Sequence, residues 1–218
     1  MMPHEASDNL REVCAMAPVI PVLMIRDAEV AEPLAEALLD GGLYALEVTL
    51  RTPAALECIR RMSKIEGAVV GAGTLLTPND VQAAHDAGAT FGVSPGHTPT
   101  LLAACESEGL PIMPGAGTAS EVMSLLERGY EMQKFFPAEA AGGVPMLKSW
   151  SSPIPKVSFC PTGGINLEKA KTYLALPNVV CVGGSWVAPD HLVQAGDWDA
   201  IRDLAREASQ LGKAAEPV

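Results

Sequence analysis

The feature that most restricts this chain is a repeated alternation of two textures. Short apolar, β-branched runs end in Gly, Pro or Thr, and each is followed by a longer stretch with helical spacing and a charged face. The runs fall at 18–25, 44–50, 68–74, 90–95, 111–117, 132–138, 156–164 and 179–186, and the last helical stretch at 197–211. Strand–helix units averaging roughly 25 residues predict one (β/α)8 barrel of the smallest kind. On pattern alone the structural alternative is an open doubly wound sheet. Helix boundaries sit where either reading needs them. Thr77 and Thr98 each set a capping hydroxyl before a proline, and Gly41, Gly42, Gly88, Gly109 and Gly129 follow helices where C-caps belong. A length of 218 residues with 48% hydrophobic content suits a single domain over 1–218, with residues 1–17 as an N-terminal extension or helix.

Charge and cysteine content narrow the function classes. A formal net charge of -11 argues against nucleic acid or an anionic membrane surface as partner, because both require basic patches. An anionic substrate would have to be held by a few aimed cations against an adverse overall field. The five cysteines are dispersed, without the paired spacing of a metal or redox site, and read as reduced core residues. His4, His85, His97 and His191 show no metal-ligand spacing either, so no metal or other cofactor is expected. The first residues are polar and acidic where a secretory signal would be basic and then apolar, and no apolar run approaches the ~18 residues of a membrane span. The expected compartment is the cytoplasm.

In a barrel the chemistry sits at the carboxyl ends of the strands. In the second run, period-two alternation sends Leu46, Val48 and Leu50 to one face and Glu47, Thr49 and Arg51 to the other. A Glu and an Arg inside a barrel must pair with each other or serve a ligand. The sixth run places Lys134 on the same face as Phe136, between apolar neighbours. Burial favours the neutral form of an amine, which is the form that attacks a ketone to give an imine. The alternative is an outward lysine reaching between helices, which would turn Gln133 inward. The seventh and eighth runs end in Gly163-Gly164 and Gly183-Gly184-Ser185. Paired glycine turns at that place in a barrel suit a phosphate, although each taken alone could be loop geometry.

Taken together the motifs are specific. Leu-Glu-Val-Thr-Leu-Arg-Thr at 46–52, Gly-Ala-Gly-Thr at 71–74, Phe-Gly-Val-Ser-Pro-Gly at 91–96, Lys-Phe-Phe-Pro-Ala-Glu at 134–139, Cys-Pro-Thr-Gly-Gly-Ile at 160–165 and Val-Gly-Gly-Ser-Trp at 182–186 resemble the 2-keto-3-deoxy-6-phosphogluconate (KDPG) aldolase family, in order from the first strand to the eighth. The resemblance implies Lys134 as the Schiff-base lysine, Glu47 as acid/base, and Arg51 with Thr74 as ligands of the pyruvoyl carboxylate. It implies that Pro95, Phe136 and Thr162 shape the pocket and that Gly163, Gly164, Gly184 and Ser185 face the phosphate. It further implies a cytoplasmic homotrimer in the Entner–Doudoroff route, giving pyruvate and glyceraldehyde 3-phosphate, with 4-hydroxy-2-oxoglutarate (KHG) as a second substrate of many members. The same residues leave two rivals open. One is a sugar-phosphate epimerase or isomerase without a covalent step, and the other a phosphate-binding barrel without catalysis.

Overall fold

The computed structural model describes residues 1–212. The elements are α1 (Pro3–Ala15), β1 (Val19–Leu23), a 3₁₀ turn (Ala28–Val30), α2 (Ala31–Asp40), β2 (Ala45–Thr49), α3 (Ala55–Met62), β3 (Val69–Gly73), α4 (Pro78–Asp86), β4 (Phe91–Val93), α5 (Pro99–Glu108), β5 (Ile112–Met113), β6 (Gly115–Ala116), α6 (Ala119–Arg128), β7 (Met132–Phe135), α7 (Gly143–Trp150), β8 (Ser158–Pro161), α8 (Leu167–Leu174), β9 (Val182–Gly184), α9 (Asp190–Ala195) and α10 (Trp198–Ser209). The last residues of the expected domain, 213–218, lie outside the described residues. The capping signals work as the sequence suggests: the Thr77 and Thr98 hydroxyls accept the N–H groups of Asp80 and Leu101, and Gly109 closes α5 in the left-handed conformation.

Every strand pairing is parallel, and the ladders form a six-stranded sheet, β5-β4-β3-β2-β1-β9, and a three-stranded sheet, β6-β7-β8. Two seams join them. At one, β5 and β6 are a single strand divided by Pro114, which has no N–H to give a ladder but whose carbonyl still accepts the Lys134 N–H at 2.9 Å. At the other, isolated parallel bridges link Phe159 to Val179 and Thr162 to Gly183. The strands therefore follow one another in sequence order around a (β/α)8 ring whose ladder is interrupted at those seams. A doubly wound sheet would instead reverse its strand order at the middle, and no such reversal occurs here.

Alternation along the strands sorts side chains into an outer layer and a layered interior. Leu46, Val48, Val70, Ala72, Ile112, Phe135, Phe159 and Val182 point outward and form one cluster with the buried faces of the helices. Ile20, Ala45, Val93, Met113, Met132, Cys160 and Cys181 point inward and fill the lower half of the barrel. Helix α1 completes that lower layer, because its Leu10 and Cys14 belong to the same interior cluster. The N-terminal segment is thus a helix that plugs the amino end of the barrel. All five cysteines are free and buried, and burial pushes the Cys58 thiol up to about 11 and the Cys105 thiol up to about 12.

Leu10 is fully buried at the floor of the barrel. Leu10→Ala is expected to lower the unfolding free energy by about 2–5 kcal/mol, the usual range for a buried leucine truncation. Urea denaturation checks this, and a change below about 1 kcal/mol would show that α1 is not part of the core.

Candidate active site

Two residues above the apolar layer, the same strand positions carry Val22, Glu47, Pro95, Lys134, Thr162 and Gly183, and these line a cavity of ≈ 290 Å³ at the carboxyl end of the barrel. Lys134 is 5% exposed and Glu47 2% exposed, and the Lys134 Nζ lies 3.3 Å from Glu47 Oε1. The ammonium also stands 5.3 Å from the centroid of the Phe136 ring. Gln133 faces outward, as the alternation requires. Its amide donates to the carbonyls of Val122 and Tyr130 at 3.2 and 2.9 Å, so the outward-lysine alternative does not apply.

Room for the Glu47 side chain comes from β3. The two upper inward positions of β3 are glycines, Gly71 and Gly73, and a Cβ on either would collide with a neighbour from the adjacent strand. At Gly71 the space is taken by the Phe91 ring, and at Gly73 by the Glu47 carboxylate. Gly73 therefore makes the room that Glu47 occupies, and the sequence reading did not single it out. Its only sequence signal is a Gly-x-Gly spacing inside a strand, where glycine marks a close approach.

The other expected residues surround the pair. Arg51 follows β2 and is exposed on the cavity rim, its Nε donating to the Thr49 hydroxyl at 3.2 Å. That hydroxyl in turn donates to the Leu23 carbonyl at 2.8 Å. Thr49 thus fixes Arg51 against the end of β1, a role that was not foreseen. Thr74 lines the cavity with φ +64, the left-handed region that a β-branched residue seldom adopts. Thr162 Oγ1 is buried against the cavity and has no hydrogen-bond partner among the described residues.

The turn after β8 has the architecture of an anion nest. Gly163 and Gly164 are both left-handed, with φ +108 and +76. The carbonyls of Thr162, Gly163 and Gly164 are taken up by the Ala138 N–H at 2.8 Å, the Glu139 N–H at 3.2 Å and the Lys169 Nζ at 3.2 Å. Among the described residues no acceptor takes the N–H groups of Gly163, Gly164 or Ile165, nor that of Ser185 in the facing turn. Consecutive satisfied carbonyls and unpaired amides leave a concave set of donors. Gly164, Gly184 and Ser185 border the same cavity as Lys134.

A wider cavity of ≈ 680 Å³ lies at the opposite end of the barrel, lined by Pro18, Gly41, Tyr44, Val180 and Gly212 among others. It holds no buried ionisable pair, so size is a poorer guide here than chemistry. Among the described residues no group of three or more His, Cys, Asp or Glu side chains is arranged to hold a metal ion. No helix among them is long and apolar enough to cross a membrane.

Comparison with known proteins follows the same lines. The family model described as KDPG and KHG aldolase matches residues 10–204. The 2-dehydro-3-deoxy-phosphogluconate aldolase of Pseudoalteromonas atlantica is 48% identical over 91% of this chain and 93% of its own. The KHG/KDPG aldolase of Escherichia coli K12 is 46% identical over 94% and 97%. Among solved structures, the Zymomonas mobilis ZM4 2-keto-3-deoxy-6-phosphogluconate aldolase with 3-phosphoglycerate superposes with a TM-score of 0.90 at 47% identity, covering 97% of this chain and 100% of the other. The Legionella pneumophila KDPG aldolase, with pyruvate captured as a covalent carbinolamine, superposes with a TM-score of 0.89 at 47% identity, covering 91% and 97%. With a parallel barrel, a buried lysine–glutamate pair at its carboxyl end and a family match across every strand, the chain belongs to the KDPG and KHG aldolase family.

Proposed function

We propose that this chain is an aldolase working through a Schiff base on Lys134, cleaving 2-dehydro-3-deoxy-6-phosphogluconate to pyruvate and glyceraldehyde 3-phosphate. The observation that carries the reading is the 3.3 Å contact between a buried lysine and a buried glutamate inside a cavity at the carboxyl end of the barrel. Glu47 stands where it can take a proton from the Lys134 ammonium, leaving the amine free to attack the C2 ketone. Glu47 returns that proton to the hydroxyl of the carbinolamine, which leaves as water and gives a protonated imine, with Glu47 again a carboxylate. Glu47 then takes the C4 hydroxyl proton, directly or through a water. The C3–C4 bond breaks, its electrons moving into the imine to form an enamine as the aldehyde departs. Return of a proton to C3 and hydrolysis of the imine release pyruvate and restore the amine.

The remaining residues of the cavity orient the substrate in this reading. Arg51, held by Thr49, grips the carboxylate beside C2 with its guanidinium, and Thr74 supplies a further donor. Pro95, Phe136 and Thr162 shape the pocket, and the free amides around Gly163-Gly164 and Gly184-Ser185 receive the phosphate. The imine is the electron sink, so the mechanism calls for no metal or other cofactor. Cleavage of 4-hydroxy-2-oxoglutarate to pyruvate and glyoxylate belongs to the same proposal, since the same lysine and carboxylate suffice. The E. coli relative, whose name carries both substrates, supports this second activity. We read the chain as one catalytic domain, assembled as a homotrimer in the cytoplasm. An epimerase or isomerase mechanism would need no nucleophilic amine, which leaves the apolar seating of Lys134 without purpose.

Borohydride in the presence of pyruvate is expected to inactivate the enzyme irreversibly and to leave a reduced pyruvyl adduct on the peptide that contains Lys134. Lys134→Arg should abolish turnover, because a guanidinium stays protonated. An adduct confined to another lysine would overturn the assignment, and inactivation without any adduct would favour the non-covalent rival.

Glu47→Gln is expected still to form the imine with pyruvate, more slowly and with water as the proton acceptor for Lys134, while losing about 10²–10⁴-fold in cleavage and in methyl-proton exchange. Single-turnover mass spectrometry and deuterium exchange separate the two steps. A loss of only a fewfold would move the proton transfer to another group.

Ser185→Asp sets a carboxylate beside the proposed phosphate position. It should lower kcat/KM for the phosphorylated substrate by about 10²-fold or more, the consequence of a like-charge contact of several kcal/mol. The loss on 4-hydroxy-2-oxoglutarate should be far smaller. Equal losses on both substrates would make Ser185 structural.

A further inference from the structure

Behind the glycine turn lies a set of side chains that the mechanism above does not use. One oxygen of the Glu139 carboxylate is 2.7 Å from Lys169 Nζ, and the other accepts the Tyr173 hydroxyl at 2.6 Å. Lys169 Nζ also donates to the Gly164 carbonyl at 3.2 Å, and the Glu139 backbone N–H to the Gly163 carbonyl at 3.2 Å. The Glu139 side chain lies flat against the turn, since a Cβ on Gly164 would approach its Cγ to 2.9 Å. Lys169, and after it Tyr173, holds the Glu139 carboxyl below the usual carboxylate range.

The need for such a brace follows from the backbone. Two consecutive left-handed glycines are the least restricted residues a chain can place in a turn, so their order must be imposed by outside contacts. Two of the three carbonyl anchors are backbone N–H groups of the segment after β7, and the third is a long lysine side chain on α8. That lysine has many rotamers when unpaired. Glu139 selects the one that reaches the Gly164 carbonyl, while the fully buried Tyr173 ring fixes the carboxylate in turn. The unit ties the loop after β7 to α8 across the turn whose amides face the cavity.

We propose that Glu139 is a positioning residue for the phosphate subsite, acting through Lys169 and Tyr173, and that this brace sets the preference for phosphorylated over non-phosphorylated substrates. The inference rests on the phosphate reading given above. A glycine turn released from its third anchor still offers the same amides but no longer aims them together, so the loss falls on ground-state and transition-state binding of the phosphate. Substrates without a phosphate do not sense it.

The test compares wild type, Glu139→Gln, Lys169→Met and the double variant in full steady-state kinetics on the phosphorylated substrate and on 4-hydroxy-2-oxoglutarate. Competitive inhibition by inorganic phosphate is measured alongside. Each single variant is expected to raise KM for the phosphorylated substrate and Ki for phosphate on the order of tenfold, within the ~10²-fold that a misplaced binding group can cost. kcat/KM on 4-hydroxy-2-oxoglutarate should stay within about twofold, the double variant should be no worse than the poorer single, and Lys169→Arg should recover most of the loss. Because Lys169 is a half-exposed surface residue, Lys169→Met decides the matter even if Glu139→Gln folds poorly. Equal losses on both substrates, or none, would overturn the proposal. So would tighter phosphate binding in Glu139→Gln, which would make Lys169 a direct ligand that Glu139 restrains. Failure of the wild type to cleave the phosphorylated substrate at all would instead overturn the reading beneath it.

Discussion

The structure is organised around one expensive interaction, the buried contact between Lys134 and Glu47. Removing two ionisable groups from water costs several kcal/mol each even after relaxation, and leaving either unpaired would cost about 3–5 kcal/mol more. The pair can form only if β2 and β7 face each other. In the sequential ring they are four strand positions apart in either direction, which places them on opposite walls of the barrel. In an open sheet the same residues would stand side by side at a distance, each alone in an apolar layer. Barrel closure and the chemistry of the site are in this sense a single requirement. The apolar layer beneath, plugged by Leu10 and Cys14 of α1, keeps water from reaching the pair from below.

Anion recognition is arranged to suit an acidic protein. With 15 Lys and Arg against 26 Asp and Glu, the long-range field repels an anionic substrate. In the proposed reading the cavity meets this with short-range, oriented donors: one guanidinium fixed by the Thr49 hydroxyl, and a row of backbone amides whose neighbouring carbonyls are already occupied. Such donors act at hydrogen-bond distance, and the amides among them lose no side-chain entropy, so the global charge matters little once the ligand is seated. The lysine nearest the glycine turn, Lys169, is paired with Glu139 and serves the backbone instead of offering a free charge.

Much of this was legible in the sequence wherever the determining physics is local. Period-two alternation in Leu46 to Arg51 and in Met132 to Phe136 gives the inward faces directly, and the structure turns Glu47 and Lys134 to the cavity as those patterns require. Cap chemistry likewise marks the starts of α4 and α5. What was not legible depends on pairs of strands. Gly73 looks like any strand glycine until Glu47 of β2 is laid across it, and Thr49 looks like a β-branched filler until Arg51 and the Leu23 carbonyl meet at its hydroxyl. The fifth strand, expected unbroken over 111–117, is divided at Pro114, which lacks an N–H but whose carbonyl still serves Lys134. The brace formed by Glu139, Lys169 and Tyr173 joins two βα units, so no single stretch of sequence announces it.

Thr74 shows how the same site trades stability for placement. A non-glycine residue in the left-handed region costs on the order of 1–3 kcal/mol, and a β-branched one is among the worst suited to it. Glycine would adopt φ +64 freely, and the preceding residue, Gly73, is already glycine. The threonine nevertheless occupies the point where β3 ends, with the Leu50 N–H on the Gly73 carbonyl at 2.8 Å before it and the Leu75 N–H on the Val93 carbonyl at 3.1 Å after it. These bonds to β2 and β4 hold the backbone on both sides and leave the turn itself no freedom to relax. The conformation is thus imposed by the barrel, and the side chain it presents is a hydroxyl and a methyl on the wall of the cavity that contains Lys134. Strain accepted at Thr74, which follows β3 and reaches the cavity with its side chain, is what a ligand-facing role would require, and what a purely structural turn would have avoided with a further glycine.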